Sequence, residues 1–321
     1  VSVDRGALRA VLRRALGDEA AEVTRLHPVS MGASRHTFEL TVRSGGTERR
    51  MVLQLDREGA PDGTIDVATQ TALVRAAAGE GVPVAEVVAY DSAPAALGAP
   101  FALAAHVEGT TLPRTVLRDP AFAGTRRGFA AECGRILAAL HRTPRAALPP
   151  LDAGDQLDHV VSWIDRIGDP LPAFELAIGW LRRNRPAPVP PAVVHGDFRL
   201  GNLIMGPDGV RAVLDWEMAH LGDPAEDLAW LTLRPWRFRG SGEVGGMGDR
   251  ADLLAAYEAA AGTPPDPARF HWWEVLGMLK WGLICQRQAR THLDGVARSV
   301  ELAAIGRRVC ETEYDLLGLI S

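Results

Sequence analysis

Lysine is almost missing from this chain. Of the 35 basic residues among 321, only Lys280 is a lysine, so any chemistry that needs a side-chain amine has one candidate. Cysteine is nearly as scarce: Cys133, Cys285 and Cys310 lie far apart, with no C-x-x-C pair and an odd count. That argues against a disulfide framework and gives no support to a structural zinc site. Each of the three falls in a helical pattern, where a buried, inert thiol is expected. No apolar run approaches the roughly 18 residues that span a bilayer. No basic block marks a nucleic-acid or anionic-membrane surface, and the net charge is a mild −5. The first residues, VSVDRGALRAVLRRALGDEAAEV, read as an amphipathic helix without the apolar run and cleavage site of a secretion signal. A cytoplasmic protein with no nucleic-acid or membrane partner is expected.

What is present belongs to a globular chain, 47% hydrophobic and 23% charged, long enough to bury a substantial core. From residue 37 the pattern alternates, with Phe38, Leu40 and Val42 on one face, as in a half-buried strand. Ser44-Gly45-Gly46-Thr47 supplies a turn, and MVLQLD (51–56) reads as the antiparallel partner. A helix is predicted over about 65–79, and VPVAEVVAYD (82–91) and PFALAAHVEG (100–109) read as further strands. After Gly109 the periodicity turns helical, near 126–142, 155–167, 173–184, 249–261, 267–290 and 296–317. PPLDAGD (149–155) and RPAPVPPA (185–192) read as loops. The fold class is therefore α+β with two lobes, a small antiparallel sheet over 1–108 and a larger, mostly helical part over 109–321. A ligand site between them is the default expectation.

The stretch HGDFRLGN-LIM-GPDG-VRAVLDWE (195–217) concentrates polar residues between apolar runs. LIM (203–205) and VRAVL (210–214) flank Gly206-Pro207-Asp208-Gly209, a strong turn composition. If the runs pair as a hairpin, Asn202 before the first comes close to Asp215 after the second, and Asp197 lies on the loop that feeds them. An amide oxygen and a carboxylate converging at one point suit a hard cation such as Mg²⁺, which takes oxygen ligands and keeps phosphates and water in its remaining positions. Asp197 beside them is placed to accept a proton from a hydroxyl.

H-x-D, an Asn five residues after the Asp, and a hairpin ending in Asp resemble the catalytic loop and metal site of protein-kinase-like enzymes. HGDFRLGN together with LDWEMAHLGDPAEDLAW (214–230) is similar to the aminoglycoside phosphotransferase family. The similarity is closer still to its general bacterial phosphotransferase branch, itself related to kinase domains fused to some acyl-CoA dehydrogenases. The likeness runs from MGASRHTFEL (31–40) to the C-terminus. It implies an ATP- and Mg²⁺-dependent kinase acting on the hydroxyl of a small molecule. Asp197 would be the catalytic base, Asn202 and Asp215 the metal ligands, and His195 a support of the loop. Arg199 would sit where many protein kinases direct a lysine at the γ-phosphate. Asp227 would bond back to the loop backbone, and Asp223 would shape its turn. Gly32 and Ser34 would lie near the phosphates, and the backbone of Ala105 and Val107 near adenine.

The chain departs from that pattern where kinases carry a Lys–Glu pair. Gln54 stands in place of the lysine and Gln70 in place of the glutamate, so both partners have become amides. Two glutamines can bond each other and a phosphate oxygen, but they supply no positive charge. Arg35 is the expected source of replacement charge. The alternatives are a nucleotide-binding pseudokinase with little transfer activity, and a metal-dependent phosphohydrolase using the same carboxylates on water. All eight tryptophans fall in the helical part, and an aromatic pocket there would suit an apolar or acyl-bearing alcohol. Glu311, Glu313 and Asp315 form no evident acidic pocket of the kind a polycationic aminoglycoside needs. A hydroxyacyl-CoA or another metabolite alcohol therefore stands beside an antibiotic as candidate acceptor.

Overall fold

The computed structural model describes residues 3–29, 35–57, 63–93, 96–169, 171–264 and 266–321, with the side chain of Ala147 apart. The chain opens with helix α1 (Arg5–Leu16), whose N-terminal amides Gly6 and Ala7 are capped by the Asp4 carboxylate. It ends at Gly17, which takes the left-handed backbone of a helix terminator (φ 63°). The sequence pattern predicted a helix continuing further. Instead Glu22–Pro28 forms strand β1, followed by β2 (Arg35–Ser44) and β3 (Thr47–Asp56). Helix α2 (Val67–Gly79) then leads to β4 (Val87–Asp91) and β5 (Phe101–Ala105). The five strands form one antiparallel sheet in the order β1-β2-β3-β5-β4.

Alternation decides which face is buried. Phe38, Leu40 and Val42 of β2 join Leu53 and Leu55 of β3 and Phe101 and Leu103 of β5, packing on Leu8, Val11 and Leu12 of α1. Leu73, Val74 and Ala77 of α2 belong to the other core, that of the helical part. The segment 82–86, read as strand, carries none, and β4 starts only at Val87.

The helical part runs α3 (Pro113–Arg118), α4 (Ala123–His141), α5 (Gln156–Ile167) and α6 (Pro172–Arg183). Four short strands follow: β6 (Ala192–Val194), β7 (Leu203–Gly206), β8 (Gly209–Val213) and β9 (His220–Gly222). After them come α7 (Ala225–Thr232), α8 (Arg250–Ala261), α9 (Pro267–Leu293), α10 (Val300–Gly306) and α11 (Val309–Ile320). The 27-residue α9 is the axis against which α5, α6, α7, α10 and α11 pack.

The single helix predicted over 296–317 is two. At Gly306, α10 comes so close to α9 that a Cβ would sit 2.4 Å from that of Ala289. The chain then tightens into i→i−3 bonds, from Arg307 N–H to Ala304 and from Arg308 N–H to Ile305, and restarts as α11. Cys133 and Cys285 are buried as expected, and burial raises both thiols, that of Cys285 up to about 12. Cys310 is exposed, because α11 turns that face to solvent.

Candidate active site

The loop between β6 and β7 is shaped by residues that cannot easily be exchanged. Gly196 has φ 76°, and a Cβ there would lie 2.5 Å from the Met218 carbonyl oxygen. The next constraint comes from Asp227, in the first turn of α7, whose carboxylate accepts from the backbone N–H groups of His195 (2.8 Å) and Gly196 (3.0 Å). Burial works against that carboxylate, yet the hydrogen bond and charge of His141 and the pull of His195 hold its pKa below the usual carboxylate value. Asp227 thus bonds back to the loop as the sequence suggested, and His141 of α4, bonded to it at 3.2 Å, is a partner the sequence reading did not name.

His195 is fully buried. Its Nε2 faces the Leu214 carbonyl at 2.9 Å, so that nitrogen must carry the proton, and Nδ1 accepts from the Asp197 N–H at 3.2 Å. Burial depresses its pKa, keeping the imidazole neutral in the tautomer both bonds require. One ring therefore ties the loop to the far end of β8.

That hairpin closes as its composition predicted, with Leu203 opposite Val213, and the Leu214 N–H donates to the Asn202 carbonyl at 2.8 Å. Asn202 and Asp215 are brought to the same end of it. Asn202 turns its Nδ2 to the Asp197 carbonyl (3.0 Å) and to Asp197 Oδ2 (2.7 Å). Its Oδ1, as the amide is assigned from these bonds, accepts nothing among the described residues. Asp215 has a left-handed backbone, φ 62°, uncommon for a residue with a side chain. Its carboxyl is pushed up to about 7, by depth among protein atoms first and then by the charges of Glu217 and Asp197. Water does reach Asp215, an exposed residue, and the like charges of Glu217 and Asp197 crowd it there. The Asp215 carboxylate and the free Asn202 amide oxygen, at one end of the hairpin, are oxygen donors of the kind a hard divalent cation takes. Among the described residues there is no cluster of three or more His, Cys, Asp or Glu side chains arranged to hold a metal.

Asp197 accepts three side-chain hydrogen bonds: Asn202 on Oδ2, and Arg199 Nε (2.9 Å) and Trp230 Nε1 (2.9 Å) on Oδ1. Arg199 also lies 4.7 Å from the centroid of the Trp236 ring, so its guanidinium is held against Asp197 and an indole. Trp230 was missed by the sequence reading. A signal existed: it follows Asp227 by three residues on a helix, which places both on the face that meets the loop.

Across from the loop, Gln70 Nε2 donates to Gln54 Oε1 at 3.0 Å, and Arg35 donates to Gln70 Oε1. Arg35 is buried and also bonds the Ile65 carbonyl (2.7 Å) and Asp56 (3.4 Å). The three residues form a chain that brings a guanidinium to the place of the missing Lys–Glu pair. Its charge is felt at Asp215, where it favours the ionised form. Gly32 and Ser34 lie outside the described residues. The Ala105 N–H is taken by the Glu86 carbonyl at 2.8 Å, so Ala105 can contribute only its carbonyl, whereas the Val107 N–H has no partner among the described residues.

Behind the loop, Lys280 is buried and bonds Glu226 Oε1 at 3.2 Å, while Glu226 Oε2 meets His220 Nε2 at 3.0 Å. The other His220 nitrogen faces the Met218 carbonyl at 2.9 Å, so both are donors and the ring is cationic. Burial pulls the His220 pKa down, but Glu226 more than reverses it. Asp223 holds the start of α7 by accepting from the Ala225 N–H at 3.0 Å, and it pairs with Arg269.

Residues 25–273, most of the chain, match the profile of the APH phosphotransferase enzyme family. The chain belongs to that family. It is 28% identical over 252 residues to mouse acyl-CoA dehydrogenase family member 10, covering 73% of this chain and 22% of that protein. It thus spans about a fifth of that relative's length. A putative aminoglycoside phosphotransferase from Ralstonia eutropha has the same fold, with TM-score 0.77 and 24% identity over 99% of this chain and 98% of that one. So does a thermostable mutant of the aminoglycoside phosphotransferase APH(4)-Ia, solved with AMP-PNP and hygromycin B, with TM-score 0.60 and 15% identity over 98% and 97%. The five-stranded sheet and helical part are therefore those of a kinase-like α+β fold. No helix among the described residues is long and apolar enough to cross a membrane.

Proposed function

We propose that the protein is an ATP- and Mg²⁺-dependent O-phosphotransferase acting on the hydroxyl of a small molecule in the cytoplasm. The observation that carries this reading is the state of Asp197, a carboxylate oriented by three donors beside Asn202 and Asp215. Residues 1–108 would form the nucleotide lobe and 109–321 the catalytic lobe. The complex of the APH(4)-Ia neighbour with AMP-PNP and hygromycin B supports a nucleotide donor and an alcohol acceptor.

Asp197 would align the acceptor hydroxyl and take its proton as the oxygen attacks the γ-phosphorus and the bond to the leaving ADP oxygen breaks. Asn202 Oδ1 and Asp215 would hold Mg²⁺, which when bound supplies charge neutralisation for the triphosphate. Arg199, bonded to Asp197, would orient that carboxylate, which leaves less of it for the γ-phosphate. Gln54 would meet a phosphate oxygen through its Nε2, with Arg35 supplying the charge behind it. Val107 N–H and the Ala105 carbonyl would meet adenine, and Gly32 and Ser34 the phosphates.

The pseudokinase reading draws on Gln54 and Gln70, whose amides bond each other rather than pairing as ions. Calorimetric titration with ATP, with and without Mg²⁺, separates the two. Mg²⁺-dependent binding followed by alcohol-dependent ADP formation is expected. Binding without transfer to any alcohol would favour the pseudokinase, and ADP formation without an acceptor would favour the hydrolase.

A further inference from the structure

The chain as a whole is acidic, with a net charge of −5, yet one trough on the helical part has the opposite sign. Two adjoining hollows, of about 1100 and 590 Å³, share the wall formed by Leu117, Arg118, Phe238, Arg239 and Gly240. Arg114 of α3 adds to the larger hollow, and Arg126 and Arg127 of α4 to the smaller. Arg234, Arg237 and Arg308 are the remaining cations of the lining, and the only carboxylates in it are Glu311 and Asp315. Asp315 is already paired with Arg234 at 2.6 Å, and Arg308 reaches Glu311 at 3.5 Å. Arg126 and Arg237 donate to backbone carbonyls and keep their full charge. Arg114, Arg118, Arg127 and Arg239 have no hydrogen-bond or ion-pair partner among the described residues. A solvated surface normally interleaves both signs; here they are separated. The shared wall is also strained, since Phe238 and Arg239 both take left-handed backbone (φ 46° and 68°).

The trough lies against the packed rings that stand behind Asp197. Trp281, which lines the larger hollow, lies 4.6 Å from Trp236, and Trp236 lies 5.3 Å from Trp230, whose indole N–H is bonded to Asp197. We infer that this trough receives the acceptor, and that the acceptor is an alcohol carrying two or more anionic groups of the phosphate class. Guanidinium groups match phosphate oxygens in pairs and keep their charge at any working pH. The same field repels a polycationic alcohol. The acceptor role rests on the phosphotransferase reading; anion binding by the trough does not.

The test fills the nucleotide site first. Protein saturated with AMP-PNP and Mg²⁺ is titrated with fructose 1,6-bisphosphate, fructose and kanamycin in a calorimeter. Binding of the bisphosphate that weakens steeply with salt is expected, with no binding of fructose or kanamycin. Arg118→Glu/Arg239→Glu should weaken the bisphosphate by about tenfold or more, about 1.4 kcal/mol per tenfold. AMP-PNP affinity should be unchanged, and Arg118→Lys/Arg239→Lys should retain most of the binding. No binding of the bisphosphate at millimolar concentration, indifference to charge reversal, or tighter binding of kanamycin would overturn the inference. Tighter binding of duplex DNA or of phosphatidylglycerol vesicles would overturn it in favour of a macromolecular partner. Failure of AMP-PNP to bind would sink the kinase reading alone, because the bisphosphate titration can be repeated on the nucleotide-free protein.

Discussion

Asp197 is fixed before any substrate arrives: three donors from three different side chains set the plane of its carboxylate. Orientation of this kind is what a general base requires, and removing it should cost rate rather than nucleotide binding. Asp197→Asn is expected to lower the turnover number about 10²–10⁴-fold with ATP affinity retained, as read by ADP formation and calorimetry. Trp230→Phe keeps the aromatic packing and removes only the indole N–H. Because hydrogen bonds to charged groups contribute about 1.5–3 kcal/mol, it should lower kcat by about tenfold with little change in melting temperature. An unchanged kcat would assign Trp230 to packing alone. Arg35→Ala removes the one guanidinium in the Arg35–Gln70–Gln54 chain and should weaken ATP binding strongly. Arg35→Lys should recover part of it, and unaltered affinity in the alanine variant would remove Arg35 from the phosphate site.

Among the elements, the β7–β8 hairpin and the loop before it behave as one piece, joined by His195 and Asp227. Gly196→Ala places a Cβ against the Met218 carbonyl at a positive φ, and should destabilise the protein by about 2 kcal/mol or more in urea unfolding. The His195 bonds also give a pH dependence. Its folded pKa is depressed below the 6.5 of the free side chain, so the unfolded chain binds the proton first as pH falls. Stability contributed by neutral His195 is therefore present above pH 6.5 and is lost progressively as pH drops below that value. Urea midpoints at pH 7.5 and 5.5 should diverge more in the wild type than in His195→Gln, where the titrating ring is gone.

Which elements could be read in advance follows from the range of the interactions involved. The hairpin, the capped helices and the loop residues His195, Asp197, Asn202 and Asp215 are encoded by neighbours in sequence, and were legible. β1 was not, because only Val23 among its seven residues is buried and an edge strand then shows no alternation. The split between α10 and α11 depends on α9, a partner the local pattern does not contain. Likewise the position of Trp230 against Asp197 joins residues 33 apart along the chain, whereas Arg35, expected to supply the replacement charge, does reach Gln70. Most tryptophans fill the core, and Trp281 alone among them borders the larger arginine-lined hollow.

For the molecule as a whole, the sheet with its helix α2 and the helical part are joined by bonds such as Ile65 N–H to the Glu217 carbonyl, at 2.9 Å. A nucleotide held by Arg35 and Gln54 on one side and Asp215 on the other would couple them. At about 100 times its dissociation constant, ATP with Mg²⁺ should add about 2.7 kcal/mol of stability. A melting-temperature rise of several degrees is expected by scanning calorimetry, absent in Arg35→Ala.

Lys280 is the sole side-chain amine in the sequence, and it lies beneath the loop that carries Asp197, paired with Glu226 and 5.5 Å from the Trp230 ring centroid. It also lines a hollow bordered by Met218, His220 and Arg287, so an acylating reagent must first draw the amine away from Glu226. The rate at which one acyl group is added there therefore times the loosening of that pair beneath Asp197, a clock installed by the scarcity of lysine itself.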